Sequence, residues 1–131
     1  MPLITGVDRD HHEVRVVALG PVTLNDVREH LLHKKREGGL SYPELADVRG
    51  AGIVCDPDEL KKIAEFLREL SRESPLGRIA FVVSSEADVA ATRELGALAG
   101  DCCDIKTFRS AEEARAWLGT GGDSESGSEN S

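Results

Sequence analysis

Residues 79–83 read Ile-Ala-Phe-Val-Val, an unbroken apolar run between Pro75/Gly77 and Ser84-Ser85. No other stretch narrows the possible folds as far. A strand with one wet face alternates apolar and polar side chains, whereas one that is apolar throughout is covered on both faces. The stretches around this strand therefore have to supply the cover. They read as helices.

Thr23 opens a first helix over 23–37, with Asp26 three residues on in the manner of a capping box. Leu24, Val27 and Leu31 mark its buried face, and Gly38-Gly39 ends it. Lys34, Lys35 and Arg36 fall in its last turn, where they complement the helix dipole. Asp56, Pro57 and Glu59 form a strong helix start, followed by Leu60, Ile63, Leu67 and Leu70 on one face with Phe66 beside it. Ser85 with Asp88 starts a third helix over 85–99, with Val89, Leu95 and Leu98 inward. Ser110 with Glu113 starts a fourth, with Ala114, Trp117 and Leu118 as its apolar face.

Strands fill the intervals. Residues 3–7 and 13–19 flank the polar turn Asp8-Arg9-Asp10-His11-His12 and read as a hairpin. Leu45, Ala46 and Val48 belong to a short buried strand, and 102–108 to a last, poorer one. The order is β-β-α-β-α-β-α-β-α. It predicts a single α/β domain over 1–119, with a mostly parallel sheet, helical crossovers and an N-terminal hairpin. Residues 120–131 form a Gly/Ser/acid tail with almost nothing to bury, expected to be disordered.

A chain of 131 residues can bury one core without disulfides or metal, and its 4% aromatic content makes that core aliphatic. The net charge is −8; Asp123, Glu125 and Glu129 of the tail carry three of those charges, leaving −5 for the rest. An acidic surface repels phosphate backbones and anionic lipid, which argues against nucleic acid and membrane as partners. Lys34-Lys35-Arg36 is too short a basic patch to reverse this. Cys55, Cys102 and Cys103 are odd in number, and two are adjacent, where pairing is strained. A reduced, cytoplasmic protein without membrane insertion is expected, since the first ten residues show no basic leader and no apolar run approaches a membrane span.

In open α/β sheets, ligands and partners collect where strands end and helices begin. Here that place is the Gly-rich loop between Val48 and Asp56. It makes Asp47, Arg49, Asp56, Asp58 and Glu59 the candidate partner-binding residues. Helix capping explains the acids at 56, 58 and 59 equally well. No catalytic constellation appears. Cys55 precedes a helix N-terminus, a position that can lower a thiol pKa, but a small buried cysteine is the simpler reading. His30 and His33 lie one turn apart, yet two ligands do not make a zinc site. Gly50-x-Gly52 lacks the third glycine of a dinucleotide fingerprint. No catalytic residues, metal or cofactor are assigned. Lys106, near the end of the last strand, brings a receiver domain to mind, but a receiver needs an acidic pair after its first strand.

The ADVRGAG strand end, the RIAFVV strand and the closing FRSAEEARAWL resemble the STAS domain superfamily, and within it the SpoIIAA-like (STAS/SEC14-type) small bacterial proteins. The resemblance spans residues 3–119 and implies a SpoIIAA/STAS-like fold. Antagonist STAS domains carry an Asp-Ser-Ser-Gly-Leu type motif whose serine is phosphorylated. Here the matching run is Asp56-Pro57-Asp58-Glu59-Leu60, and Asp58 stands at the phosphoacceptor position. A phosphorylation switch at that position is therefore in doubt. About one fixed charge replaces the −1.5 to −2 of phosphoserine.

Two functional readings follow. One is a non-catalytic binding or regulatory domain that docks on a protein partner through the loop over 47–58 and the following helix. The other, implied by the SEC14-type resemblance, is a carrier or sensor of a small apolar ligand. The first predicts a surface patch over a solid core, the second an internal pocket of a few hundred cubic ångströms, on the order of known ligand sites. The hairpin edge also invites pairing into a homodimer.

Overall fold

The computed structural model describes residues 3–119; the tail over 120–131, expected to be disordered, lies outside the described residues. The elements follow in the expected order: β1 (Leu3–Asp8), β2 (Glu13–Ala18), α1 (Leu24–Arg36), β3 (Glu44–Asp47), α2 (Pro57–Ser71), β4 (Ile79–Val82), α3 (Glu86–Ala99), β5 (Ile105–Phe108) and α4 (Ala111–Leu118). A 3-10 turn, Gly100–Cys102, precedes β5. It corrects the strand expected over 102–108: Cys102 is in the turn, and β5 begins only at Ile105.

The start residues act as read. Thr23 and Asp56 each accept the backbone N–H three residues on, and Asp26 and Glu59 return a bond to the cap backbone. At Ser85 and Ser110 only the serine half of the box forms. Asp88 does not reach back to Ser85, because its carboxylate accepts the Ile53 N–H at 3.0 Å.

The strands lie in the order β1-β2-β3-β4-β5; only the β1–β2 hairpin is antiparallel. This is the mixed sheet that the alternation of elements predicts. α1, α2 and α3 share one face. There Leu31, Leu60, Ile63, Leu67, Leu70, Leu95 and Ala99 pack on Ile79 and the half-buried Phe81 and Ile105. Each fully buried aliphatic side chain there contributes about 1.5–3 kcal/mol against the entropy of ordering the chain. On the opposite face α4 sets Ala114 and Leu118 on Leu45, Ala80 and Val82. Val82 and Val83 have no exposed surface, as the unbroken apolar run requires.

α4 lies over β3, β4 and β5. On that side the hairpin carries no helix, and the registered pair Ile4 and Val17 is left 56% and 46% exposed. No helix among the described residues is long and apolar enough to cross a membrane.

Candidate functional site

Strands β2 to β5 run parallel, so their carboxyl ends share one edge of the sheet, and the loops leaving them meet there. The loop after β2 and the loop after β3 are joined backbone to backbone. Val22 donates to the Gly52 carbonyl at 3.0 Å, and Val54 donates to the Val22 carbonyl at 2.7 Å. Gly50 and Gly52 have φ of +78° and +87°, the left-handed region that glycine enters without a Cβ clash. The same loop is fixed to the β4–α3 connection: Gly50 donates to Ser84 Oγ at 3.3 Å and Ile53 to the buried Asp88. Arg109, just after β5, donates to the Ser84 carbonyl at 3.1 Å and pairs with Glu86.

The candidate residues divide by what already holds them. Asp47 takes a bidentate pair from the Arg49 guanidinium, at 3.0 Å from Nε and 2.8 Å from NH2, plus the Arg49 backbone N–H. That pairing holds the Asp47 carboxyl below its usual range. Asp56 and Glu59 are engaged in the α2 cap at 2.8 and 3.0 Å. Asp58 is exposed and makes no side-chain hydrogen bond or ion pair among the described residues. Two apolar side chains not singled out from the sequence lie on the joined loops: Leu19 is 65% exposed and Val54 57%. Single exposed aliphatics carry no sequence signal. Only the pairing of the two loops assigns these to one surface.

Cys55, which follows Val54, is half-buried, and burial together with the Glu59 and Asp56 carboxylates pushes its thiol up to about 11. Cys103 is pushed up to about 12, chiefly by burial. Both thiols are therefore expected to resist alkylation by iodoacetamide at pH 8, where little thiolate is present. Peptide mass mapping of the native protein, which should find the label at neither Cys55 nor Cys103, is the check.

A second constellation lies beneath α1. His30 Nε2 is 3.0 Å from each oxygen of Glu44, Lys34 Nζ is 2.6 Å from Glu44 Oε1, and His30 Nδ1 is 2.8 Å from Thr5 Oγ1. His30, Lys34 and Glu44 are 8%, 2% and 3% exposed. Burial pushes the Glu44 carboxyl up, but attraction and hydrogen bonds from His30 and Lys34 outweigh it and hold the group well below the carboxylate range. Lys34 lies in the last turn of α1 as expected, but it is buried there and pairs with Glu44. Among the described residues no three His, Cys, Asp or Glu side chains are grouped as a metal site requires. The signal for this network was present in the chain. His30 and Lys34 continue the stripe of Val27 and Leu31, so two polar groups sit on the buried face.

Between the three helices and the sheet is a space of about 50 Å³, lined by His30, Glu44 and apolar side chains that include Leu31, Ile63, Leu67 and Phe81. Lipid-sized ligand pockets run to hundreds of cubic ångströms.

Comparison with known proteins comes down to fold. No protein-family model and no curated protein matches the chain. Among solved structures, it is similar to an uncharacterized protein of the DUF3478 family with a SpoIIAA-like fold from Shewanella loihica PV-4. The identity is 20%, the TM-score 0.58, and the match covers 88% of this chain and 93% of that one.

Proposed function

From a SpoIIAA-like fold and a rigid edge of joined loops, we infer that the protein is a non-catalytic binding domain that docks on a protein partner at the carboxyl edge of its sheet. The observation that carries this reading is that Leu19 and Val54, both more than half exposed, lie on two loops that Val22 joins by mutual backbone bonds. Two apolar anchors with a charged surround have the make-up of a protein contact, in which a few buried aliphatic or aromatic groups supply most of the affinity and charges set orientation. Asp58 adds an unengaged negative charge where the phosphoacceptor of the STAS antagonists would stand. The partner surface suited to it is apolar with a basic border.

The carrier reading has less behind it, because the space under the helices is about 50 Å³ and a carrier needs several times that. Native mass spectrometry on protein purified gently from its source separates the two. A second polypeptide supports docking, and added mass of lipid size supports the carrier. For a captured partner, Leu19→Asp and Val54→Asp are expected to weaken binding at least about tenfold, and Asp58→Lys by a smaller factor. Ile4→Asp, on the hairpin, is expected to leave it unchanged. Equal affinity across all four variants removes this edge from the interface.

A further inference from the structure

The two edges of the sheet are built differently. β5 is four residues long, and Lys106 on it, with Arg109 just beyond, gives it the charge that deters edge pairing. β1 is six residues long, Leu-Ile-Thr-Gly-Val-Asp, with no charge before Asp8. Among the described residues its outer side faces no other strand. On the face that bears α4, its neighbour Val17 and its own Ile4 form an exposed apolar pair. On the helix face a groove of about 520 Å³ runs between β1 and α1, lined by Leu3 and Thr5 and by Glu29, Leu32, His33 and Arg36.

The α1 side of that groove has a polarity. Glu29 lies toward the amino end and Arg36 toward the carboxyl end, with the 38% exposed Leu32 between them. α1 returns the chain from the carboxyl end of β2 to the start of β3, so it runs opposite to β2 and alongside β1 in the same sense. A two-fold axis normal to the sheet at the β1 edge makes β1 antiparallel to a second β1. The same axis makes α1 antiparallel to a second α1. Each acidic half then faces the basic half of the other copy, and the Leu32 side chains come near the axis. Such self-complementarity is what an isologous interface demands.

We propose that the protein is a homodimer joined through β1, its two sheets continuing into one, with the α1 stripes of the two copies meeting above the seam. The occupant of the β1–α1 groove is a second copy of this chain. Strand pairing supplies the backbone bonds that the edge lacks, and the Ile4–Val17 pairs continue across the face that bears α4.

Sedimentation equilibrium of the whole chain, from low micromolar to about 1 mM, tests it. The expected mass is twice the 14.1 kDa of one chain. Ile4→Lys and Glu29→Lys are each expected to weaken the dimer about tenfold, the second by setting like charges against Arg36 of the other copy. Glu29→Lys combined with Arg36→Glu inverts the stripe and is expected to restore the dimer, a recovery that loss of fold would not produce. Circular dichroism confirms that each variant is folded. A monomer at every concentration overturns the proposal. So does a dimer indifferent to Ile4→Lys and to both charge variants.

Discussion

Replacing Glu44 by alanine is expected to lower stability by about 3–5 kcal/mol, a large share of the roughly 5–15 kcal/mol that a domain possesses. The loss does not come from a missing attraction alone. Lys34 is left 2% exposed with its Glu44 partner removed, and His30 loses the acceptor of its Nε2. An uncompensated buried ammonium is the costly species, whereas an intact pair is worth little against an apolar replacement. The combined change His30→Leu, Lys34→Met, Glu44→Leu is therefore expected to recover most of the loss, because no buried charge remains. Urea unfolding at pH 7 measures both.

Acid reports on the same group. The Glu44 carboxyl is lowered in the folded state from an ordinary value of 4.5, so the unfolded chain takes up its proton first as pH falls. Its stabilising contribution is full above about pH 4.5 and declines below it, toward the depressed folded value. Glu44→Gln, which cannot titrate, is expected to show a shallower loss of stability between about pH 4.5 and 3 than the natural protein. Equal acid slopes would show that the carboxylate is not held as its neighbours indicate.

The second large effect is expected at Gly77→Ala. A Cβ at Gly77 would stand 2.3 Å from the Tyr42 carbonyl oxygen, 2.5 Å from its carbon and 2.6 Å from the Ser41 oxygen. These are backbone atoms of the segment leading into β3, and that segment is itself bound. Gly77 donates to Leu40 at 2.9 Å, and Tyr42 donates to Gly39 at 3.1 Å. A flexible side chain can turn aside, but two paired backbones cannot part without giving up those bonds. A loss of about 3 kcal/mol or more is expected. Gly6→Ala, with nothing within 4 Å of the added carbon, is the control and should change stability by less than about 1 kcal/mol. Thermal or urea unfolding of the two variants side by side decides it.

Much of this architecture was legible because it is written in local chemistry. Thr23, Asp56, Ser85 and Ser110 announce four helix starts through bonds that span three residues. The apolar run over 79–83 announces a strand covered on both faces, which β4 is. The residues that the sequence reading missed depend on neighbours far along the chain. Asp88 sits at the third position of α3, where a return bond to Ser85 is the local expectation. Ile53 reaches it first, across 35 residues. Lys34 has a local reason to lie in the last turn of α1, and a distant one, Glu44, takes precedence. Leu19 and Val54 are individually ordinary and gain meaning only from the bridge between their loops. Of the expected site, Asp47 and Arg49 satisfy each other, Asp56 and Glu59 serve the cap, and Asp58 alone remains unengaged.

The bridge between Val22 and Ile53 also bears on how fast and how selectively that edge can be met. A loop that must first be ordered loses roughly 1–2 kcal/mol per residue in fixing its backbone. Here the backbone is tied before any partner arrives, by Val22, Asp88 and Ser84. In the docking proposed above, complex formation would order side chains rather than chain, close to rigid-body docking. A surface of that kind is unforgiving. It would keep one shape and reject partners whose contours differ. A substitution that cut the Asp88 tie would be felt as a slower encounter and a wider range of weak partners before any contact residue had changed.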